Sequence, residues 1–280
     1  MNYTSTDTIL YLDKISVAFP DPKNPEKSNV ILKDVSLIEK DIMREGFTNT
    51  GQTIAFLGRS GRGKSTLFRV ITGLLKPTSG QALIANMETT AHDDAKTIEE
   101  GDVGFVDQKY TLFRHKTINE IFQYALRKDK MTQPDKNALI KKYLEEWGLE
   151  EHKDKYSCEL SGGQRQRTAI IEQMLTSKHF MVFDEPFSGL DVGNIEKVKA
   201  SFERILSADE LNTIIFSTHD IKLAVELADS IYIIGHPEGV TDYSTIIKHY
   251  DLKEMGMAWQ EYDDRHRSLV KDIKELLINS

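Results

Sequence analysis

The stretch Gly58-Arg59-Ser60-Gly61-Arg62-Gly63-Lys64-Ser65 decides the fold of this 280-residue chain. It fits the pattern glycine, four residues, glycine-lysine-serine, and it follows a strand-like apolar run, Thr53 to Leu57. A helix-like run comes next, in which apolar residues recur at spacings of three and four: Leu67, Val70, Ile71 and Leu74. Strand, glycine loop and helix together are the context in which this pattern indicates a phosphate-binding loop.

The chemistry of this loop suits a nucleotide. Glycines let the loop wrap tightly, so that successive backbone N–H groups point at one anion, and the helix that follows adds the positive end of its dipole. Lys64 supplies a charge that can reach the β and γ phosphates, and Ser65 offers a hydroxyl to Mg²⁺. The alternative interpretation is a glycine-rich turn before an ordinary helix. The predicted nucleotide contacts are Gly58, Arg59, Ser60, Gly61, Arg62, Gly63, Lys64, Ser65 and Thr66.

The bulk composition narrows the possible partners and compartments. With 36 Lys and Arg against 44 Asp and Glu, the formal charge is 36 − 44 = −8, which argues against a nucleic-acid partner. The single cysteine, Cys158, excludes an internal disulfide and fits a reducing compartment. Residues Met1 to Thr8 lack the layout of a signal peptide. No apolar run approaches the roughly 18 residues that cross a bilayer, so any membrane association is expected to come through a partner or the surface.

Short apolar strands alternate with helical patterns along most of the chain. This order indicates an α/β fold whose mainly parallel sheet is covered on both faces. The predicted strands of this sheet are Thr53–Leu57, Val103–Asp107, Phe180–Phe183, Thr213–Ser217 and Ile231–Ile234. Before the glycine loop, Leu10–Phe19 and Val30–Leu37 are expected to form strands, with a loop over Pro20–Ser28 between them. Gln81–Ala85 is a further candidate strand, and Asn86–Asp102 is expected to be a charged loop.

Two regions depart from the alternating pattern. Between Lys109 and Glu159 the sequence carries helical periodicity and almost no strand signal, so we expect a helical insertion into the α/β core. The tail from about Tyr243 has apolar and aromatic residues spaced four and three apart, which predicts a helix: Tyr262, His266, Leu269, Ile273 and Leu276. The spacing leaves two possibilities open, a helix packed on its own domain and a helix that contacts a partner.

Two adjacent carboxylates, Asp184 and Glu185, follow the apolar strand Phe180–Phe183. At the carboxyl edge of a parallel sheet such groups face the ligand crevice. Asp184 is placed to hold Mg²⁺ through water, and Glu185 can polarise a water for attack on the γ phosphate, since phosphoryl transfer depends on positioning and charge. An acidic strand-to-turn junction is the alternative.

A second glycine-containing segment, Leu160-Ser161-Gly162-Gly163-Gln164, precedes a helix. Ser161 and Gln164 form a serine-x-x-glutamine capping box, which is a sufficient structural explanation. The paired glycines go beyond a cap, because they leave bare N–H groups at a helix start and so make a second anion site. A second phosphate site in one chain suggests contact with another molecule's nucleotide. His219, delivered at the end of Thr213–Ser217, is either structural or part of this chemistry.

With these residues in view, the chain resembles the nucleotide-binding subunits of ATP-binding cassette (ABC) transporters, over about Leu10 to Gly239. Gly58 to Ser65 matches the Walker A loop, Leu160 to Gln164 matches the LSGGQ signature, and Phe180 to Asp184 matches Walker B. The resemblance implies that Glu185 is the catalytic base. The motif that follows, Ser188-Gly189-Leu190-Asp191, matches the family's D-loop.

The resemblance adds three site residues. Gln108 matches the Q-loop glutamine, which in the family touches Mg²⁺ and the attacking water, so Ser65, Gln108 and Asp184 become the implied Mg²⁺ contacts. His219 matches the switch histidine that contacts the γ phosphate. Phe19 falls where the family places an aromatic residue that stacks on adenine. The implied cofactors are therefore ATP and Mg²⁺, bound also by Ser161, Gly162, Gly163 and Gln164 of a neighbouring chain.

The resemblance also implies an architecture. The expected fold is a P-loop NTPase cassette with a mainly parallel core sheet, an N-terminal antiparallel β portion and a helical subdomain at about 109–164. The ABC ATPase domain is expected to span 1–240, and 241–280 to form a C-terminal helical extension.

Family behaviour supplies the implied mechanism and partners. Two cassettes close head-to-tail over two ATP molecules, as a two-fold interface demands, and hydrolysis drives alternating access in a membrane permease. The partners are a second copy or a related cassette, transmembrane permease subunits and, for an importer, a substrate-binding protein. The expected location is the cytoplasmic face of the plasma membrane. The segment from Glu185 to Asp191 looks more like the corresponding segment of importer subunits than that of many exporters. The alternatives are an export or lipid- or lipoprotein-extruding ATPase, a soluble non-transport cassette, and a non-hydrolysing regulator.

Overall fold

The computed structural model describes residues 3–21, 24–44, 51–85, 95–177, 179–209, 211–258 and 260–279. Within these residues the strands are β1 (Tyr3–Asp21), β2 (Asn24–Arg44), β3 (Gln52–Leu57), β4 (Ser79–Ala85), β5 (Ala95–Thr97), β6 (Gly104–Val106), β7 (Phe180–Phe183), β8 (Thr213–Thr218), β9 (Ser230–Gly235) and β10 (Thr245–Asp251). The helices are α1 (Lys64–Ile71), α2 (Ile118–Ala125), α3 (Gln133–Glu146), α4 (Gly162–Thr176), α5 (Val192–Ala208), α6 (Ile221–Leu227) and α7 (Asp264–Asn279).

The strands form two sheets that are joined through the core. One has four strands in the order β2-β1-β4-β5, and its neighbouring strands are antiparallel. The other has six strands in the order β10-β9-β3-β8-β7-β6, and it is parallel except where β10 pairs with β9. A parallel sheet with helices between its strands is the architecture that the alternating pattern predicts.

Strand β3 shows how the core is divided. Its side chains alternate between the faces of the sheet, as the two-residue period of a strand requires. Ile54 and Phe56 pack into the cluster that contains α1 and the antiparallel sheet. Ala55 and Leu57 pack into the cluster on the opposite face, which contains the helical side of the molecule. The strand is therefore buried on both faces, and the glycine loop follows its carboxyl end.

The predicted helical insertion contains α2, α3 and the start of α4. Thr117 caps α2 in a capping box with Glu120, and the apolar stripe of α2 is buried: Ile118, Ile121, Phe122 and Ala125. Ser161 caps α4 in the predicted box with Gln164. Both boxes satisfy backbone N–H groups that a helix start leaves without an intrahelical partner. No helix in the described ranges is both long and apolar enough to cross a bilayer.

The N-terminal hairpin is longer than the sequence pattern predicts. The expected loop over Pro20–Ser28 is wrong for its described residues, because Pro20 and Asp21 end β1 and Asn24–Ser28 begins β2, which pairs with it. Residues 22–23 lie outside the described residues. The unassigned region after Leu37 continues β2 to Arg44, and residues 45–50 lie outside the described residues. The expected loop Asn86–Asp102 includes the short strand β5, with 86–94 outside the described residues. These strands are hard to predict because an antiparallel sheet can keep one face in water, so its strands carry many polar residues and resemble loops in the sequence.

The expectation of a helical C-terminal extension is wrong for Thr245–Asp251, which forms β10 and extends the core sheet at its edge. The segment has two adjacent isoleucines followed by mainly polar residues, and all seven residues are half-buried or exposed, which suits a strand at the edge of the sheet. The predicted helix is α7, and it packs on its own chain, since Leu269 and Ile273 are buried in the core beside α6. The domain boundary at residue 240 stays a prediction.

Candidate functional site

The glycine loop runs from the end of β3 to the first residue of α1, and its glycines are needed where the backbone is crowded or left-handed. A Cβ on Gly58 would lie 2.5 Å from the Ile234 carbonyl oxygen. Gly63 has φ +85, and a Cβ there would lie 2.7 Å from a methyl carbon of Leu32. Only glycine adopts the left-handed conformation of Gly63 without strain. A side chain at Gly58 or Gly63 would also meet these neighbours and displace the loop.

The loop surrounds a cavity of about 410 Å³. Its described lining contains most of the predicted loop residues and both predicted carboxylates: Ile31, Ser60, Gly61, Arg62, Gly63, Lys64, Ser65, Thr66, Asp184 and Glu185. The structure thus brings together two motifs that lie about 120 positions apart in the sequence, because the ends of β3 and β7 meet at one edge of the sheet.

Lys64 connects the two motifs. Its ammonium donates to the Gly58 carbonyl oxygen at 2.7 Å and lies 3.5 Å from Oε1 of Glu185. The Lys64 residue is only 7% exposed, so water screens this pair weakly. The cationic group is therefore held between the loop and the carboxylate, next to the space that an anion would occupy.

The corner between Asp184 and Glu185 is held by a residue that the sequence analysis did not select, Ser217 at the end of β8. The Ser217 hydroxyl donates to Oδ1 of Asp184 at 2.7 Å and accepts from the Glu185 N–H at 2.9 Å. Glu185 has φ +51, a left-handed conformation that is costly for a residue with a side chain. The serine hydroxyl helps to fix this strained corner. The sequence signal that could have identified Ser217 is a polar residue at the carboxyl end of a strand that is fully buried.

His219 reaches the predicted catalytic carboxylate. Its Nδ1 lies 2.9 Å from Oε2 of Glu185, and the imidazole is largely exposed, with 64% of the side chain accessible. The two oxygens of Glu185 are thus oriented by different partners, Lys64 on one side and His219 on the other. An exposed histidine in hydrogen-bond contact with a carboxylate at the sheet edge fits a role in chemistry better than a role in the core.

Gln108 lies just beyond the end of β6, at the same edge of the sheet, but it does not line the cavity. Strand β6 pairs with β7, and the Asp184 N–H donates to the Val106 carbonyl oxygen at 3.0 Å. Gln108 itself is exposed and does not appear in the described lining of the cavity. Tyr110, two residues further on and not selected by the sequence analysis, donates from its hydroxyl to the Pro186 carbonyl oxygen at 3.4 Å. Burial raises the pKa of Tyr110 to about 12, so its hydroxyl remains a donor.

The remaining predicted contacts lie away from the cavity within this chain. Phe19 is 41% exposed near the end of β1 and does not belong to the described lining. Ser161, Gly162, Gly163 and Gln164 form the exposed to half-buried start of α4, and they too are absent from the described lining. The structure of one chain therefore unites the loop, the carboxylates and His219, and leaves the second glycine segment facing outward.

A glycine loop between β3 and α1, with carboxylates at the end of β7 two strands along the same sheet, defines an α/β nucleotide-binding protein of the P-loop type. Residues 47–188 match the ABC transporter family. The chain belongs to the ABC transporter family, and the prediction of that family is confirmed.

Several curated relatives share this family. The sulfate/thiosulfate import ATP-binding protein CysA of Pectobacterium atrosepticum is 37% identical over 82% of this chain and 69% of its own length. The CysA proteins of Thermosynechococcus vestitus and Synechococcus elongatus are 34% and 36% identical over 81% and 67% of this chain. The chain spans 65% and 53% of the length of those two relatives.

Solved structures agree with the fold. The cbiO1 protein from Clostridium perfringens, described as part of the ABC transporter complex cbiONQ, superposes with a TM-score of 0.67 at 25% identity and covers 90% of this chain and 92% of its own. A structure described as the ATP binding subunit of an ABC transporter superposes with a TM-score of 0.63 at 20% identity, over 93% of this chain and 99% of its own. The predicted fold class, an α/β P-loop cassette with an antiparallel N-terminal portion and a helical subdomain, is confirmed.

Proposed function

We propose that this chain is the ATP-hydrolysing subunit of an ABC importer of a small solute. The observation that carries the proposal is the convergence of Lys64, Asp184 and Glu185 on one cavity beneath the glycine loop. The relatives that match most of the chain are named as import ATP-binding proteins, which favours import over the export and non-transport alternatives. Their names make sulfate and thiosulfate the first solutes to test.

In this proposal the triphosphate of ATP occupies the cavity. Backbone N–H groups of the loop and the start of α1 face the β and γ phosphates. Lys64 turns from the Gly58 carbonyl and Glu185 toward the phosphates, because a phosphate oxygen is a stronger partner than a neutral carbonyl.

The lining also fits Mg²⁺. Ser65 and Asp184 provide hard oxygen donors on the same cavity, and Mg²⁺ is usually held by one or two carboxylates together with substrate phosphates and water. The described residues contain no cluster of three or more acidic, histidine or cysteine side chains that could hold a metal. Gln108, exposed at the same sheet edge, would join these ligands after a movement of its loop. The ion supplies charge neutralisation at the phosphates.

Glu185 is the proposed general base. Its carboxylate sits at the cavity wall, with Lys64 near one oxygen and His219 at the other before ATP binds. Once Lys64 turns to the phosphates, the oxygen that it leaves can accept a proton from a water aligned with the γ phosphate. His219 then orients this carboxylate and contacts the γ phosphate. Phe19, which is exposed near the end of β1 and outside the described lining of the cavity, is the proposed adenine-stacking residue.

A second copy of the chain completes the proposed site. Ser161, Gly162, Gly163 and Gln164 present N–H groups and a hydroxyl at the start of α4, away from the cavity of their own chain. In a head-to-tail dimer each such segment faces the ATP of the other copy. The transmembrane permease and a substrate-binding protein are the further proposed partners, and the chain would sit at the cytoplasmic membrane face through that permease.

The test compares two glutamates changed in the same way. Glu185→Gln is expected to lower ATP turnover at least about 100-fold, the usual contribution of a general base, with ATP affinity preserved. Glu203→Gln, on the exposed side of α5, is the matched control and is expected to keep wild-type turnover. Equal turnover in the two variants would contradict the proposed role of Glu185. Recovery of a multi-span membrane protein with the tagged chain would support transport, and ATPase activity stimulated by DNA or ribosomes would contradict it.

A further inference from the structure

A contact between Arg62 and His236 links the glycine loop to a distant part of the chain. Arg62 is the variable position between two loop glycines, yet its guanidinium does not simply extend into solvent, since Nη1 contacts Nε2 of His236. His236 follows directly after β9. The two residues are 174 positions apart, so the contact depends on the packing of β9 against β3.

The imidazole of His236 is oriented from its other side. Nδ1 lies 2.6 Å from the carbonyl oxygen of Tyr243. A carbonyl oxygen can only accept, so Nδ1 carries the proton and donates it. In a neutral ring Nε2 then has a free lone pair, and it accepts from the Arg62 guanidinium. The tautomer is thereby fixed by the backbone of Tyr243.

Ser244, which follows Tyr243, is also connected to the glycine loop, through hydrogen bonds to β2. Ser244 donates its N–H to the Ile31 carbonyl oxygen and accepts from the Lys33 N–H, each at 3.0 Å. The side chains of Ile31 and Leu32 face Gly63, where a Cβ would lie 3.1 Å and 2.7 Å from them. The loop is therefore held from two sides by one segment, through Arg62 on one side and through β2 on the other.

We propose that His236 is a positioning residue for the phosphate loop, which acts through Arg62. With the guanidinium held by His236, the backbone around Arg62, which lines the cavity, keeps its position before ATP arrives. Binding then loses less conformational freedom, which is the benefit of preorganisation. The segment 236–244 lies outside residues 47–188, which match the family. The inference rests on the proposed function for its effect on ATP.

The first experiment separates positioning from general stability by a KM-against-kcat comparison. His236→Leu is expected to raise the KM for ATP about three- to tenfold, the effect of losing one hydrogen bond of ordinary strength, and to leave kcat within about twofold. His236→Gln is expected to restore the KM, because one amide can accept from Arg62 and donate to the Tyr243 carbonyl. His179→Leu is the matched control, a half-buried histidine that contacts Asn212 at the opposite edge of the sheet. Equal KM changes in His236→Leu and His179→Leu, or no rescue by glutamine, would overturn the proposal.

A second experiment needs neither ATP nor turnover. In ¹⁵N spectra of the histidine rings of the unliganded chain, His236 is expected to be protonated at Nδ1, and Arg62→Met is expected to move its Nε2 signal. The amide protons of residues 59–63 are expected to exchange at least threefold faster in His236→Leu than in the wild type. A proton on Nε2, or unchanged exchange in a folded His236→Leu chain, would overturn the inference. A wild-type chain that hydrolyses no ATP, but carries the Nδ1 proton on His236 and shows the faster amide exchange in His236→Leu, would contradict the proposed function alone.

Discussion

Ser217→Ala tests how the catalytic corner is held. The substitution removes the hydroxyl that donates to Asp184 at 2.7 Å and accepts from the Glu185 N–H at 2.9 Å. Ser217 is fully buried, and alanine fits its space without a clash. The variant therefore deletes two hydrogen bonds and leaves the fold otherwise unchanged.

The magnitude follows from the two bonds. A bond to a charged group contributes about 1.5–3 kcal/mol and a neutral one about 1 kcal/mol, but water can replace the donor to Asp184, which is partly exposed. We expect a loss of roughly 2 kcal/mol of unfolding free energy, and hence a fall of about 4–8 °C in Tm at about 2–4 °C per kcal/mol. If about 1.4 kcal/mol of this loss releases Glu185 from its left-handed conformation, kcat falls about tenfold.

Calorimetry and steady-state ATPase assays measure both effects. Ser201→Ala is the matched control, because Ser201 is also buried but its hydroxyl donates only to the Lys197 carbonyl within α5. The control is expected to change Tm slightly and kcat not at all. A Ser217→Ala chain with wild-type kcat would refute the argument that this hydroxyl positions Glu185, whatever happens to Tm.

Three further predictions concern binding, pH and helix capping. Lys64→Ala is expected to abolish measurable ATP binding in titration calorimetry, because the loop loses its buried cation; an unchanged Kd would contradict the site. Burial raises the pKa of Glu172 to about 7, against the opposing effect of Arg127. Since the folded pKa lies above the unfolded one, this carboxyl favours folding below about pH 4.5, and that contribution is lost as the pH rises through 7. Glu172→Gln should therefore raise Tm by several degrees at pH 8 and by little at pH 4.5; the reverse order would disprove the burial argument. Thr117→Ala removes the hydroxyl that accepts from the Glu120 N–H at the start of α2. It is expected to lower the free energy of unfolding, measured with denaturant, by about 1 kcal/mol. A gain in stability would exclude the cap.

The sequence predicted the parts of the molecule in which chemistry and local structure coincide. The glycine loop, the carboxylate pair and the capped start of α4 each lie within a few consecutive residues, so a strand, a turn and a helix start could be inferred from spacing and residue type. The parallel sheet was predictable because β3, β7 and β8 are apolar on both faces.

Other features depend on residues that are distant in sequence. Strand β10 was missed because its polar residues resemble an exposed tail until β9 supplies the pairing edge. Ser217 was missed because one hydroxyl at a strand end gains meaning only beside Glu185. The contact between Arg62 and His236 spans 174 positions, and no local pattern in either segment indicates it.

The position of Ser161 in an ATP-loaded Glu185→Gln complex is the most direct test of a nucleotide site shared by two copies. The account predicts a two-fold dimer in which the Ser161 hydroxyl of one copy is within hydrogen-bond distance of the γ phosphate held by Lys64 of the other. A monomer with ATP bound, or a dimer in which Ser161 contacts no γ phosphate, would contradict it.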